Sequence, residues 1–290
     1  MIEKFLYKDR SYSSCIYSAY ELMFTNFATI FRKTWLAAFV YSTIMSLSVF
    51  FDSWSWMQLV FLVPMVFSIS WLGAAVMSLL NDKSLKHNYI YTLQTVLLMT
   101  VMMLLVSVII IMLGTAILLL LGTNKSPESL NTTYFIFMVF FIVLALIAII
   151  PLIYSVMKYL VESKARVWSI FGKAYRNGWR HWGFIMLVFI LCAIMISVLY
   201  VVIGLPRVVM YLAVQNNAYG LTIGDPSGLP KYFGMLNYIV GVVITFFVCY
   251  INVWMFFVMY YVYGRIETRI KTKQKSLDLN ETAKTTVYRS

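Results

Sequence analysis

The chain is poor in acid. Eleven of its 290 residues are aspartate or glutamate, and all of them lie outside the long apolar runs, in loops, links or termini. A proton-coupled pump keeps a carboxylate at membrane depth despite its cost, because that group carries the proton. Its absence here argues against proton coupling and leaves facilitated passage open. Histidine is scarcer still: His87 and His181 both fall in links between apolar runs, and no zinc-type ligand set clusters around them. The three cysteines, Cys15, Cys192 and Cys249, have no metal-ligand spacing and read as small buried hydrophobes. No glycine-rich phosphate loop, nucleophile elbow or paired-carboxylate spacing appears. The sequence therefore predicts neither an enzyme nor a cofactor. Charge of both signs is thin, at 12% of residues, about half of what a soluble domain carries.

What fills the chain is hydrocarbon. Hydrophobic residues make up 62% of it, and the mean hydropathy is +0.83. Soluble packing cannot hide that much apolar surface, whereas lipid can. The predicted fold is all-α: a polytopic membrane protein with six spans over residues 35–51, 57–80, 93–121, 134–159, 183–203 and 232–263. Each is near or above the roughly 20 residues needed to cross the hydrocarbon core. An N-terminal segment, 1–34, precedes the membrane domain of 35–263. A basic, then polar tail, 264–290, follows without apolar periodicity and reads as mobile.

Lysine and arginine set the orientation. With both termini inside, twenty of the 23 fall on the cytoplasmic side and three, Lys125, Arg207 and Lys231, on the other. Residues 122–132 and 213–231 are then expected outside. The net charge of +12 flanks spans, so it reads as anchoring to anionic lipid and not as nucleic-acid binding.

The most distinctive stretch joins the fourth and fifth spans. Within it Arg166, Ser169, Lys173, Arg176, Asn177 and Arg180 recur every three or four residues. On a helix they form one basic stripe, with Val167, Trp168, Phe171, Ala174, Tyr175, Trp179 and Trp182 on the other face. A central amphipathic helix over 160–182, lying in the membrane surface, is expected. Arg166, Lys173, Arg176, Arg180, Trp168 and Trp179 are the candidate contacts for anionic lipid headgroups or for a protein partner at the cytoplasmic face. The competing reading makes the cations simple positive-inside anchors. A second surface helix is expected over 11–34. It carries Ile16, Tyr20, Met23, Phe24, Phe27, Ile30 and Phe31 on one stripe, facing either lipid or the bundle.

Polar residues inside spans, Asn252 above all, read as interhelical hydrogen bonds. Small residues such as Ser70, Ala74, Ala75 and Gly241 read as close-packing positions. Pro64 and Pro151 are expected to kink their helices. Two internal similarities stand out. Residues 31–49 resemble 179–198, and PMVFSISWL from Pro64 resembles PLIYSVMKYL from Pro151. They suggest three repeated hairpins in parallel orientation, with chance likeness among apolar segments as the competing account.

The stretch PLIYSVMKYLVESKARVWSIFGKAYRNGWRHWGFIMLVFIL resembles the six-helix membrane region of bacterial glycerophosphodiester phosphodiesterases and related uncharacterised bacterial integral membrane families. The resembling features are the proline-bearing span, the Tyr159 and Glu162-Ser163 exit, the amphipathic Phe171 to Trp179 segment and the tryptophan that returns to the membrane. In those enzymes catalysis belongs to a separate soluble domain, and this chain offers no residues to which that role could be carried. The resemblance implies a protein of the bacterial cytoplasmic membrane. Two functions compete, a non-enzymatic membrane component that engages lipid or a partner and a small permease or channel; a third, an intramembrane lipid enzyme, finds no converging acid, base or metal set.

Overall fold

Long runs of leucine, isoleucine, valine and methionine fold as helix in an apolar medium, because a helix satisfies its backbone groups within its own segment. The computed structural model describes residues 6–48, 56–121, 127–162, 166–224 and 228–287. Among the described residues there are eight α-helices and no strand. The helices are α1 (Tyr12–Thr25), α2 (Phe27–Ser48), α3 (Trp56–Leu80), α4 (Leu85–Leu121), α5 (Pro127–Glu162), α6 (Lys173–Arg180), α7 (Trp182–Thr222) and α8 (Phe233–Val287). A 3₁₀ turn, Val167–Phe171, precedes α6.

Five helical stretches are long and apolar enough to cross a membrane: Val60–Leu80, Leu85–Ala116, Tyr134–Glu162, Trp182–Thr222 and Phe233–Leu279. Large apolar side chains stand exposed along α4, α5 and α7, among them Met112, Phe135, Ile136, Val201 and Val209. Such a surface would drive association in water, and it is the ordinary outer surface of a helix in lipid. Together these are the marks of a multi-pass membrane protein. The expected first span lies on α2, which carries Arg32 and Lys33 in its second turn and is rich in serine and threonine, and residues 49–51 of that span lie outside the described residues. It does not reach the apolarity of the five.

Several boundaries differ from the sequence-based expectation. The surface helix expected over 11–34 is two helices. Asn26 ends α1, with its backbone N–H and its Nδ2 both donating to the Leu22 carbonyl, and the remainder begins α2. The loop expected from 204 is helical as far as Thr222, so α7 has 41 residues and spans about 60 Å, twice the hydrocarbon core. The sixth helix does not stop at Tyr263 but continues as α8 to Val287. In the last two cases polar residues carried the helix on, in α7 despite Pro206.

The chain divides into two compact units, Met1–Tyr89 with Leu187–Ser290, and Ile90–Met186. In the first, α2 packs on α3 and on α8, and α1 packs on α8. Small side chains make the close approaches. A Cβ placed on Gly241 would lie 3.3 Å from Ser46 Oγ, and Ser70, Ala74 and Ala75 of α3 are buried. Asn252 accepts a hydrogen bond from the Tyr200 hydroxyl at 3.2 Å, an interhelical link between α7 and α8. The three cysteines are buried, and burial pushes the Cys15 thiol up to about 11. In the second unit α4 and α5 run antiparallel. Tyr159 donates to Gln94 Oε1 at one end, and the Tyr134 ring lies against Gly114 at the other.

The segment before α1 is clamped onto α8. A Cβ on Gly264 would collide with the Leu6 carbonyl oxygen, so only glycine lets the two backbones meet there. Arg10 donates to Leu6 O at 2.8 Å and lies 4.6 Å over the Tyr261 ring. Asp9 Oδ1 accepts from Arg265 and Arg269 at 3.3 and 3.2 Å. Burial works to raise the Asp9 pKa, but the hydrogen bond and charge of Arg269, and then those of Arg265, outweigh it and hold the carboxyl below its ordinary value. A depressed folded-state pKa contributes stability that is whole above the unfolded value, about 3.9, and is lost as pH falls through the folded one. Backbone amide protection over residues 6–15, corrected for intrinsic exchange, should therefore hold steady from about pH 8 to about pH 5 and fall only below about pH 4. Asp9→Asn should lower it at neutral pH, and Gly264→Val should abolish it. Unchanged protection in both variants would remove the clamp.

Candidate functional site

The stretch that carries the basic stripe is built on a proline. Pro151, inside α5, has no N–H, so the carbonyl four residues earlier, Ile147, loses its helical donor. The ring also crowds the turn before it. In an apolar medium an unsatisfied carbonyl costs several kcal/mol. One side chain from the following segment answers this need, and a second bonds the carbonyl beside it. The Trp182 indole donates from Nε1 to Ile147 O at 3.3 Å, and the Tyr175 hydroxyl donates to Ala148 O at 3.0 Å. Between them in sequence, Gly178 is buried against the proline itself. A Cβ there would lie 2.5 Å from Pro151 O and 3.2 Å from Pro151 Cα. Glycine thus permits backbone-to-backbone seating of α6 on the kink.

The single helix expected over 160–182 is accordingly broken. The helical run of α5 ends at Glu162, the 3₁₀ turn follows, and Gly172 at φ −89°, ψ −133° separates that turn from α6. Arg180 closes the eight-residue α6. His181 caps it: its backbone N–H bonds to Gly178 O, and Nδ1 lies 3.0 Å from Asn177 O. The chain then turns into α7. Tyr175 and Gly178 share one face of α6, and Trp182, just past the break at His181, opens α7 on the same stretch of α5.

The predicted site residues divide between the pieces. Lys173, Arg176 and Arg180 lie on α6 at helical spacing, and Arg166 stands just before the 3₁₀ turn. All four are exposed, and among the described residues none pairs with a carboxylate. Trp168 and Trp179 are exposed too, at 71% and 44%. Trp179 stacks on Trp182 with ring centroids 6.4 Å apart, and Tyr175 meets Trp179 edge-on at 6.2 Å. Ile170 is fully buried beneath the 3₁₀ turn. The arrangement is therefore two-sided. Ile170, Tyr175, Gly178 and Trp182 hold the segment to α5, and the cations and two tryptophans face away.

Periodicity found the exposed cations and set Tyr175 and Trp182 opposite them, but it set the exposed Trp168 and Trp179 there as well and missed Gly178 and the two hydrogen bonds that fasten the segment. A glycine and two hydrogen-bonding aromatics about one helical turn apart, following a proline-bearing span, form the signal that could have found them. No family model, curated protein or solved structure matches this chain.

Gly178→Ala tests the seating with the smallest change available. The added methyl meets backbone atoms, which cannot turn aside, so α6 must lift. The expected cost is about 1–3 kcal/mol, measured as unfolding free energy in detergent or bilayer. Gly183→Ala, where a Cβ meets nothing within 4 Å, should cost no more than about 0.5 kcal/mol. Equal effects at the two positions would contradict a specific contact at Gly178.

Proposed function

We propose that this chain is a non-enzymatic, multi-pass component of the bacterial cytoplasmic membrane that engages anionic lipid headgroups through Arg166, Lys173, Arg176 and Arg180. Both termini lie in the cytoplasm, α2 completes a set of six spans, and the segment 166–182 lies at the inner membrane surface. The division of lysine and arginine across the links supports that orientation. The likeness of residues 151–191 to membrane regions of bacterial phosphodiesterases supports the compartment.

One observation carries the functional reading. Four exposed cations, with no carboxylate partner among the described residues, sit on a segment fastened to a span. A cation that served only as an anchor would need no fixed scaffold. Here the scaffold holds several at a fixed height beside exposed tryptophans, which favour the headgroup level of a bilayer. Each cation near an anionic leaflet contributes about 1 kcal/mol. The effect fades over a Debye length of about 8 Å at physiological salt. A phosphate-rich surface is the ligand such a patch fits.

The test uses the full chain in vesicles containing phosphatidylglycerol and phosphatidylcholine with identical acyl chains. Spin-labelled lipids report which headgroup is enriched around the protein. Phosphatidylglycerol should be enriched, less so at high salt, and less so when all four cations are exchanged for glutamine. The exchange should leave the topology intact, because the cations of the other links and the tail remain. Equal enrichment in the wild type and the glutamine variant would reduce the four residues to anchors.

A further inference from the structure

Pro64 of α3 poses the same problem as Pro151: with no N–H, it leaves the Val60 carbonyl without its usual helical donor. What lies beside the two prolines differs. Pro151 is seated under α6, whereas Pro64 lines a groove of about 690 Å³. Val63, Phe67 and Trp71 continue its wall along α3, Ile44 of α2 adds to it, and Lys86 lines it from the first turn of α4. All of these residues belong to the first unit. The volume falls in the range of about 300–1,000 Å³ that small-molecule sites occupy.

The chemistry of the groove is one-sided. From Pro64 to Trp71 the wall extends about 10 Å along the helix. Its apolar members Val63 and Phe67 are exposed at 54% and 48%. The hydroxyl of Ser68 is already spent on Met65 O at 3.0 Å. Lys86 is exposed and forms no ion pair among the described residues. It stands at the N-terminal end of α4, where the helix dipole adds positive potential. Ser84 fixes that end by accepting from the His87 N–H at 3.3 Å. The side chains of Asn81 and Asn88 hold the turn between α3 and α4 with two reciprocal hydrogen bonds of 2.9 Å.

We infer that this groove binds one anionic phospholipid, its acyl chain along Val63, Pro64, Phe67 and Trp71 and its phosphate at Lys86. Free phosphate would leave the apolar wall uncovered. A zwitterionic lipid brings a phosphate too, but its own ammonium offsets the charge offered to Lys86, so an anionic headgroup is favoured. A transmembrane segment from another protein could cover the wall, but it would need an acidic residue at the height of Lys86. The inference rests on the membrane placement proposed above and is independent of the basic patch on α6. At Pro151 the chain fills the space beside the kink with α6, and at Pro64 the acyl chain fills it without supplying a donor to the Val60 carbonyl.

The full chain in phosphatidylcholine vesicles, doped with a trace of phosphatidylglycerol bearing a photoreactive acyl chain, provides the test. The same photoreactive chain on phosphatidylcholine is the comparison, and cross-links are mapped by mass spectrometry. The glycerol probe should label residues 63–71 more than the choline probe. Lys86→Gln should lower that labelling about fivefold, the loss of one cation facing an anionic headgroup, and lower labelling by the zwitterionic choline probe less. Val63→Trp fills the groove from an exposed position and should remove labelling by both. If that variant does not fold, Lys86→Gln carries the test alone. Equal labelling by the two headgroups in the wild type, or labelling by the glycerol probe that Lys86→Gln does not change, overturns the inference. So does a co-purifying polypeptide that shields residues 63–71. Exchange of the four cations near α6 for glutamine should leave groove labelling intact, so failure of the patch and failure of the groove read out separately.

Discussion

A carbonyl group with no donor, in a medium that offers no water, is the constraint around which the middle of this chain is arranged. Proline at 151 frees the Ile147 carbonyl from the helical ladder, and lipid cannot repair the loss. The chain repairs it with its own later residues. Trp182 and Tyr175 bring donors to adjacent carbonyls, and Gly178 removes the side chain that would hold the two backbones apart. Once those three contacts form, the direction of the segment is set. Lys173, Arg176 and Arg180 have only the outward side left to them. A basic surface at a fixed height is thus a consequence of how the kink is covered.

The same economy of close approach recurs in the other unit. Gly264 lets the chain before α1 lie against α8, and Asp9 then reaches two arginines one helical turn apart. Gly241 does the same for α2 against α8. None of these contacts requires a large apolar interface. In lipid, burying hydrocarbon against hydrocarbon gains little, and packing of small residues with a few polar links does the work of association. Large side chains are left on the outside, where they meet acyl chains. The groove at Pro64 fits this pattern as a place where the helices leave space that a lipid chain can fill.

Much of the fold could be read from composition alone. Runs of about 20 or more apolar residues announce helices of the right length, and five of them are present. The ends of the helices were less legible. The 204–222 region reads as a loop because Gly204 and Pro206 open it and Gln215, Asn216 and Asn217 follow, yet asparagine and glutamine are tolerated on a helix, and Pro206 did not stop it. The boundary at Asn26 depends on an asparagine that folds back on Leu22, a choice several other asparagines in the chain do not make. Of the candidate site, the exposed cations were legible because solvent-facing charge follows helical period. The breaks at Gly172 and His181 were not. A repeat of three and four residues along one segment carries no information about a neighbouring helix, so the seating on α5 was not legible either.

The direct test of this account is a double-mutant cycle on Pro151 and Trp182. Pro151→Ala restores an N–H and returns the Ile147 carbonyl to its own helix. Trp182→Phe removes the indole donor while keeping an aromatic ring. Unfolding free energies of the full chain are measured for the wild type, both single variants and the double variant. If the indole serves the carbonyl that proline frees, Trp182→Phe should cost about 1–3 kcal/mol in the wild type and clearly less beside Pro151→Ala. The coupling between the two sites should then be about 1 kcal/mol or more. Additive effects, with Trp182→Phe equally costly whether or not proline is present, would contradict the account.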